Sequence, residues 1–221
     1  MPDGMPVLVV DAQSTDGTVA VASAHGAQVV VRRWEGFVRS RLLALAGVQT
    51  PWTLMLDADE ALDAQLRDAI AAAPPDVDGY WLSRTTYYCG KPLRMWTGER
   101  VLRLFRTDRV RLRAEPAGGG NAELHERWVC EGPAGELPGT LLHFSYPTAQ
   151  SYREKFDRYT QLESQGVHPS RAAALREASL VLPRFLWYAV ARKAALDGGR
   201  GLTVAWFSAL YPAVVRARAL K

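Results

Sequence analysis

The 221-residue chain has little cysteine. Cys89 and Cys130 are too few for a disulfide framework and lack the C-x-x-C spacing of a zinc or redox site, so a reducing cytosol fits best. Long hydrophobic runs are missing too: no segment reaches the roughly 18 uninterrupted apolar residues expected of a spanning helix. The opening MPDGMPVLVV has no basic segment followed by a long apolar one, and so does not read as a secretory signal. Internal repeats and low-complexity segments are absent. What is present is 48% apolar, enough for one sizeable core and too much for a disordered chain.

The net charge of +4 is unevenly spread. From Arg184 to Lys221 there are seven Arg or Lys against one acid, Asp197, a net +6 that leaves the preceding 183 residues at −2. Phe185, Trp187, Tyr188, Trp206, Phe207 and Tyr211 are interleaved with those cations. The pattern suits an anionic membrane surface better than a nucleic acid, because a phosphate-tracking arm needs less apolar surface. The bland reading, two core-packing helices with solvated charges, has equal standing.

Along the chain, Val7 to Val10 is a continuous β-branched and apolar run closed by Asp11, the pattern of a strand buried on both faces. Ser14-Thr15-Asp16-Gly17 offers caps for a short helix to about Ala24. Gln28 to Val31 reads as a strand, Gly36 to Ala46 as a helix and Trp52 to Leu56 as a third strand. This β-α-β-α-β order predicts an α/β fold with a parallel sheet and helices on its faces. Glu60 to Ala73 reads as a further amphipathic helix stopped by Pro74-Pro75. Short strands follow at Tyr80 to Arg84, Val101 to Arg106 and Gly139 to Tyr146, with a mobile-looking Gly118-Gly119-Gly120 loop between the last two. Helices return from Thr148. The expected division is a core over 1–147 and a helical region over 148–221.

The third strand ends in Asp57-Ala58-Asp59-Glu60, three carboxylates in four positions. Ligands of open α/β sheets sit beyond the carboxyl ends of strands, where both Asp11 and Asp57 fall. Asp57 and Asp59 can hold a divalent cation, Mg²⁺ or Mn²⁺, through hard oxygen ligation, and the cation can hold a diphosphate. Capping of the next helix explains Asp59 and Glu60 equally well, since acids favour a helix N-terminus, but it leaves Asp57 unexplained. An Asp-nucleophile phosphatase also uses D-x-D after an apolar strand, but there Gly follows the second Asp and here Glu60 does.

VVDAQSTDGT (9–18), RRWEGFVRSRLLAL (32–45), LMLDADEAL (54–62), RVLRLFR (100–106), LHERWVCEGPAGEL (124–137) and LLHFSY (141–146) occur in that order. As a set they closely resemble family 2 glycosyltransferases, in particular the bacterial branch that adds sugars to lipopolysaccharide core and related glycolipids. The resemblance implies a GT-A, Rossmann-like fold, a mostly parallel sheet with helices on both faces, here with a C-terminal helical extension. It also implies a nucleotide-diphosphate sugar donor, a divalent metal and inversion at the anomeric carbon. By position, Asp11 and Asp16 fall on the nucleotide side, where capping is nearly as good a role for Asp16. Asp59 becomes the direct metal ligand, with Asp57 reaching the metal, sugar or ribose. His143 matches a C-terminal histidine ligand of the metal, although a lone histidine on an apolar strand is more often a satisfied core residue. Glu126 matches the catalytic base, with His125 orienting it, and Glu99 is the rival. Arg39 and Arg41 stand where they can meet the phosphates, in place of the family's Gln-Lys-Asn-like element. Members usually begin with one strand more than this chain shows, and an exposed edge where that strand belongs would be a pairing hazard. The reading is thus a metal-dependent transferase that is cytoplasmic and peripheral at the inner face of the membrane. It acts on a lipopolysaccharide-core or related glycolipid acceptor, with no nucleic acid partner; the alternative is a catalytically impaired, transferase-like scaffold at the membrane.

Overall fold

The computed structural model describes residues 5–114 and 126–220. The triple-glycine loop and His125 lie outside the described residues. The N-terminal apolar run forms β1 (Leu8–Asp11), followed by α1 (Thr18–Ala24) and β2 (Gln28–Val31), which pairs parallel with β1. After α2 (Phe37–Ala46) the third strand, β3 (Trp52–Leu54), joins a different sheet. That six-stranded sheet has the order β3-β6-β5-β10-β4, with β9 (Ala134–Glu136) beside β5. Here β4 is Glu60–Leu62, β5 Gly79–Tyr88, β6 Lys91–Arg106 and β10 Leu141–Tyr146. A separate antiparallel pair joins β7 (Val110–Ala114) to β8 (Glu126–Cys130).

The α/β class stands, but the pairing is mixed rather than mostly parallel. β5 runs parallel to β9 and β10, while β3–β6, β5–β6 and β10–β4 are antiparallel. The cause is local. Only Cys89 and Gly90 separate β5 from β6, both at positive φ (49° and 75°), and a two-residue turn of that hand folds the chain back as a hairpin. A second correction concerns the helix expected from Glu60. Glu60-Ala61-Leu62 pairs with β10, and α3 (Ala64–Ala71) starts only after Asp63, whose carboxylate accepts from Leu66 N at 2.7 Å. Gly139 sets the approach of β10. Its φ is +101°, and a Cβ there would stand 2.3 Å from Leu66 N, so no larger residue fits.

Leu66 and Ile70 of α3 bury against Tyr80, Leu82, Leu104 and Leu141 of the sheet, and a neighbouring cluster packs Leu102 and Phe105 on Trp128. The C-terminal region forms α4 (Ala149–Ser164), α5 (Arg171–Ser179), α6 (Val181–Val190) and α7 (Gly198–Ala219). Tyr152 of α4 and Val204 and Ala205 of α7 share one apolar cluster with Tyr88, Leu93 and Met95 of the hairpin. Among the described residues β1 pairs only with β2, and β3 only with β6. Residues of both strands line one cleft of about 1930 Å³, which continues to the acidic turn after β3.

Candidate active site

The acidic stretch is a turn between β3 and β4. Glu60 N donates to the Asp57 carbonyl at 2.9 Å and Asp57 N to Glu60 Oε2 at 3.0 Å, closing it from both sides. The three acids then take different partners. Arg41 Nη2, from α2, lies 2.9 and 3.0 Å from the two Asp57 oxygens, and Arg103 Nη2, from β6, lies 2.5 Å from Asp57 Oδ2. Arg103 Nη2 also reaches Glu60 Oε1 at 2.7 Å, and Arg84 Nη1 of β5 reaches the same oxygen at 3.4 Å. Glu60 is fully buried and Arg103 is 5% exposed, so these charges compensate one another away from water. Burial alone would raise the Asp57 carboxyl, but Arg103 and Arg41 outweigh it and hold it below its ordinary range.

Asp59 faces the other way. β10 pairs with β4 so that His143 opposes Glu60, and Phe144 N donates to the Asp59 carbonyl at 2.8 Å. This register brings His143 Nε2 to 3.3 Å from Asp59 Oδ2, while His143 Nδ1 lies 3.2 Å from Thr86 Oγ1. The hydrogen bond to His143 holds the Asp59 carboxyl below its usual range. Two ligands at right angles around a small octahedral cation, each about 2.1 Å away, stand roughly 3 Å apart. The Asp59–His143 spacing fits that bite, and with the proton on Nδ1, where Thr86 Oγ1 can accept it, His143 Nε2 would be free to ligate. Asp57, expected as a third donor, instead faces Arg41 and Arg103. Among the described residues no group of three His, Cys, Asp or Glu side chains stands close enough to hold a metal ion.

Glu126 opens β8 and lines the same cleft, with Arg41 Nε 3.1 Å from its Oε1. Its side chain is 9% exposed, and burial raises its carboxyl above the ordinary value despite the pull of Arg41. Glu99 does not line the cleft; it is half-exposed and bonded to Arg84 Nη2 at 2.7 Å. Arg39 is likewise outside, on the exposed side of α2 and paired with Glu35. Asp16 lines the cleft, but its Oδ1 accepts from Thr18 N at 3.0 Å and from the Thr18 hydroxyl at 2.5 Å, which makes it a brace for the start of α1. Asp11 is buried and accepts from Ser14 N at 2.9 Å. The sequence reading missed Arg103, Arg84, Lys155 and Tyr159, and it misplaced Glu60. For Arg103 a signal existed, an arginine inside the apolar run of RVLRLFR.

In this α/β fold one cleft thus gathers a glutamate with a buried side chain, an acidic turn at the end of a strand and the arginine that joins them. The sequence profile of Glycosyl transferase family 2 matches residues 3–122, just over half of the chain, and the chain belongs to that family. It is 30% identical over 171 residues to the lipopolysaccharide core biosynthesis glycosyltransferase LpsC of Rhizobium meliloti, covering 72% of this chain and 60% of that protein. It is also 37% identical over 99 residues to the uncharacterized glycosyltransferase RP128 of Rickettsia prowazekii, covering 45% of this chain and 33% of that one. The chain therefore spans 60% of the length of the first relative and 33% of the second, under two thirds of either. The crystal structure of S. aureus TarS 1–349 overlays with a TM-score of 0.37 at 16% identity, covering 97% of this chain and 72% of that one. That likeness is too distant to carry an argument. No helix among the described residues is long and apolar enough to cross a membrane.

Proposed function

We propose that the chain transfers a sugar from a nucleotide-diphosphate donor to a hydroxyl of a lipopolysaccharide-core or related glycolipid acceptor, with inversion. The observation that carries this reading is Glu126, a buried carboxyl of raised proton affinity facing the acidic turn across one cleft. Such a group is matched to a general base, because it accepts a proton more readily than an exposed glutamate does. Glu126 takes the proton of the acceptor hydroxyl as that oxygen bonds to the anomeric carbon. The bond from that carbon to the diphosphate breaks on the opposite face, and its electron pair leaves with the diphosphate. Arg41 holds Glu126 and Asp57 in one frame, fixing the base relative to the turn. Asp59 and His143 are the residues to hold Mg²⁺ or Mn²⁺, which when bound supplies charge neutralisation for the departing diphosphate.

The acceptor side is proposed to lie against the membrane. Leu182, Leu186 and Val190 recur every four residues on α6 and, with Trp187, are all more than half exposed. This apolar ridge, more than charge, supports a peripheral position. Arg184 and Arg216 pair with Glu177, Arg218 pairs with Asp157, and Arg192 and Arg200 donate to the Met95 and Tyr88 carbonyls.

The test is Glu126→Gln, assayed against a panel of nucleotide sugars with a lipopolysaccharide-core acceptor. Transfer is expected to fall roughly 100- to 10,000-fold, the usual weight of a positioned base, with donor affinity near wild type. An unchanged rate would remove Glu126 from the chemistry.

A further inference from the structure

The arginines around the acidic turn are already engaged. Arg41 holds Asp57 and Glu126, Arg84 holds Glu60 and Glu99, and Arg103 holds Asp57 and Glu60. Lys155 is different. It lines the same cleft from α4, one turn beyond the Thr148–Ser151 capping box that fixes the start of that helix. Its Nζ donates to Ser145 Oγ at 2.7 Å and stands 5.1 and 5.7 Å from the ring centres of Tyr146 and Tyr159. Among the described residues no carboxylate lies within 4 Å of it to form an ion pair. An ammonium carries three N–H donors, and one hydroxyl with two ring faces leaves it short of acceptors. Its partial burial depresses its pKa, against the opposing pull of Asp59 and Asp57.

We propose that Lys155 is a donor-binding residue, its ammonium hydrogen-bonding a phosphate oxygen of the nucleoside diphosphate while Tyr146 and Tyr159 confine it beside the Asp59–His143 pair. The inference rests on the donor reading above and adds a residue to it. A diphosphate brings several negative charges into a cleft whose arginines are neutralised by carboxylates, and Lys155 offers the charge-assisted hydrogen bond those arginines cannot give without releasing a partner. An uncharged sugar hydroxyl would accept a hydrogen bond from the ammonium but bring no negative charge to compensate it.

The experiment titrates wild type, Lys155→Met and Lys155→Arg with UDP, GDP, ADP and inorganic pyrophosphate in Mg²⁺ and in Mn²⁺, and records a melting curve for each protein. Methionine keeps an apolar stem of similar length beside the tyrosines and removes the charge with its N–H donors, the bond to Ser145 included. The expected result is a loss of affinity of roughly 10- to 100-fold for Lys155→Met, the weight of one charge-assisted hydrogen bond. Lys155→Arg should restore most of it, with melting curves alike. If wild type binds and Lys155→Met binds equally well, or if Arg restores nothing, the assignment of Lys155 is overturned while the donor reading stands. If wild type binds none of these ligands with either metal, both fall.

Discussion

Arg103 carries more of the acidic turn than either catalytic candidate does. Its guanidinium is the common partner of Asp57 and Glu60; removing it leaves Asp57 to Arg41 and the fully buried Glu60 side chain with only the longer 3.4 Å contact to Arg84. Arg103→Met should therefore cost about 3–5 kcal/mol in denaturant unfolding, the range for breaking a buried ion pair from one side. Adding Glu60→Gln should return part of it; a loss below about 1 kcal/mol would mean the turn is held by its backbone. Glu126 gives the pH behaviour. A base works deprotonated, and burial has raised this one, so kcat/KM should fall with decreasing pH at a higher pH than the roughly 4.3 of a free glutamate allows. An acid limb at or below that value would contradict the assignment. At this scale the sequence was partly legible. Asp59, His143 and Glu126 were found through motifs and do line one cleft, whereas Arg39 and Arg41 were taken together although residues two apart on a helix point to different sides. The i,i+4 partner Glu35 was the sign that Arg39 belongs to the solvent face. Nothing in the sequence shows that Arg103 and Glu60, 43 positions apart, meet.

The elements were legible where an apolar β-branched run or a capping residue marks them, as for β1, β2 and α4. They were not legible where tertiary pairing decides. Glu60-Ala61-Leu62 has the acids of a helix start, yet β10 recruits it as a strand and Asp63 takes the cap. The Cys89-Gly90 turn was passed over because Asn-Gly and Asp-Gly are the usual signals of a two-residue hairpin, and with it went the long β5–β6 pairing that makes the sheet mixed. α6 opens the aromatic and basic tail whose charge, in sequence, suited an anionic membrane surface. Its exposed ridge is apolar instead, and the arginines of the tail fold back on the protein. Leu186→Glu with Val190→Glu should abolish flotation with anionic liposomes and leave the melting temperature within a few degrees, since both side chains are already in solvent. Undiminished flotation of the double variant would remove α6 from the membrane contact.

At the scale of the whole molecule, the cleft joins parts far apart in the chain. α2 supplies Arg41, the turn after β3 supplies Asp57 and Asp59, β8 supplies Glu126, β10 supplies His143 and α4 supplies Lys155. The helices beyond residue 147 are bound into this arrangement through Tyr152, Val204 and Ala205, which close the apolar cluster on the hairpin. The order of apolar runs announced an α/β chain with a helical tail; that the tail braces the sheet and lends Lys155, Tyr159 and Tyr211 to the cleft depends on contacts no sequence period records. The account stands or falls on whether the polar end of that cleft holds a nucleotide through a cation at Asp59 and His143. Calorimetric titration of nucleoside diphosphates into wild type and Asp59→Asn, with Mn²⁺ and with chelator, tests this directly. The expected result is binding by wild type that disappears with chelator and weakens at least 10-fold in Asp59→Asn. Binding of equal strength in all these conditions, or none by folded wild type, would contradict it.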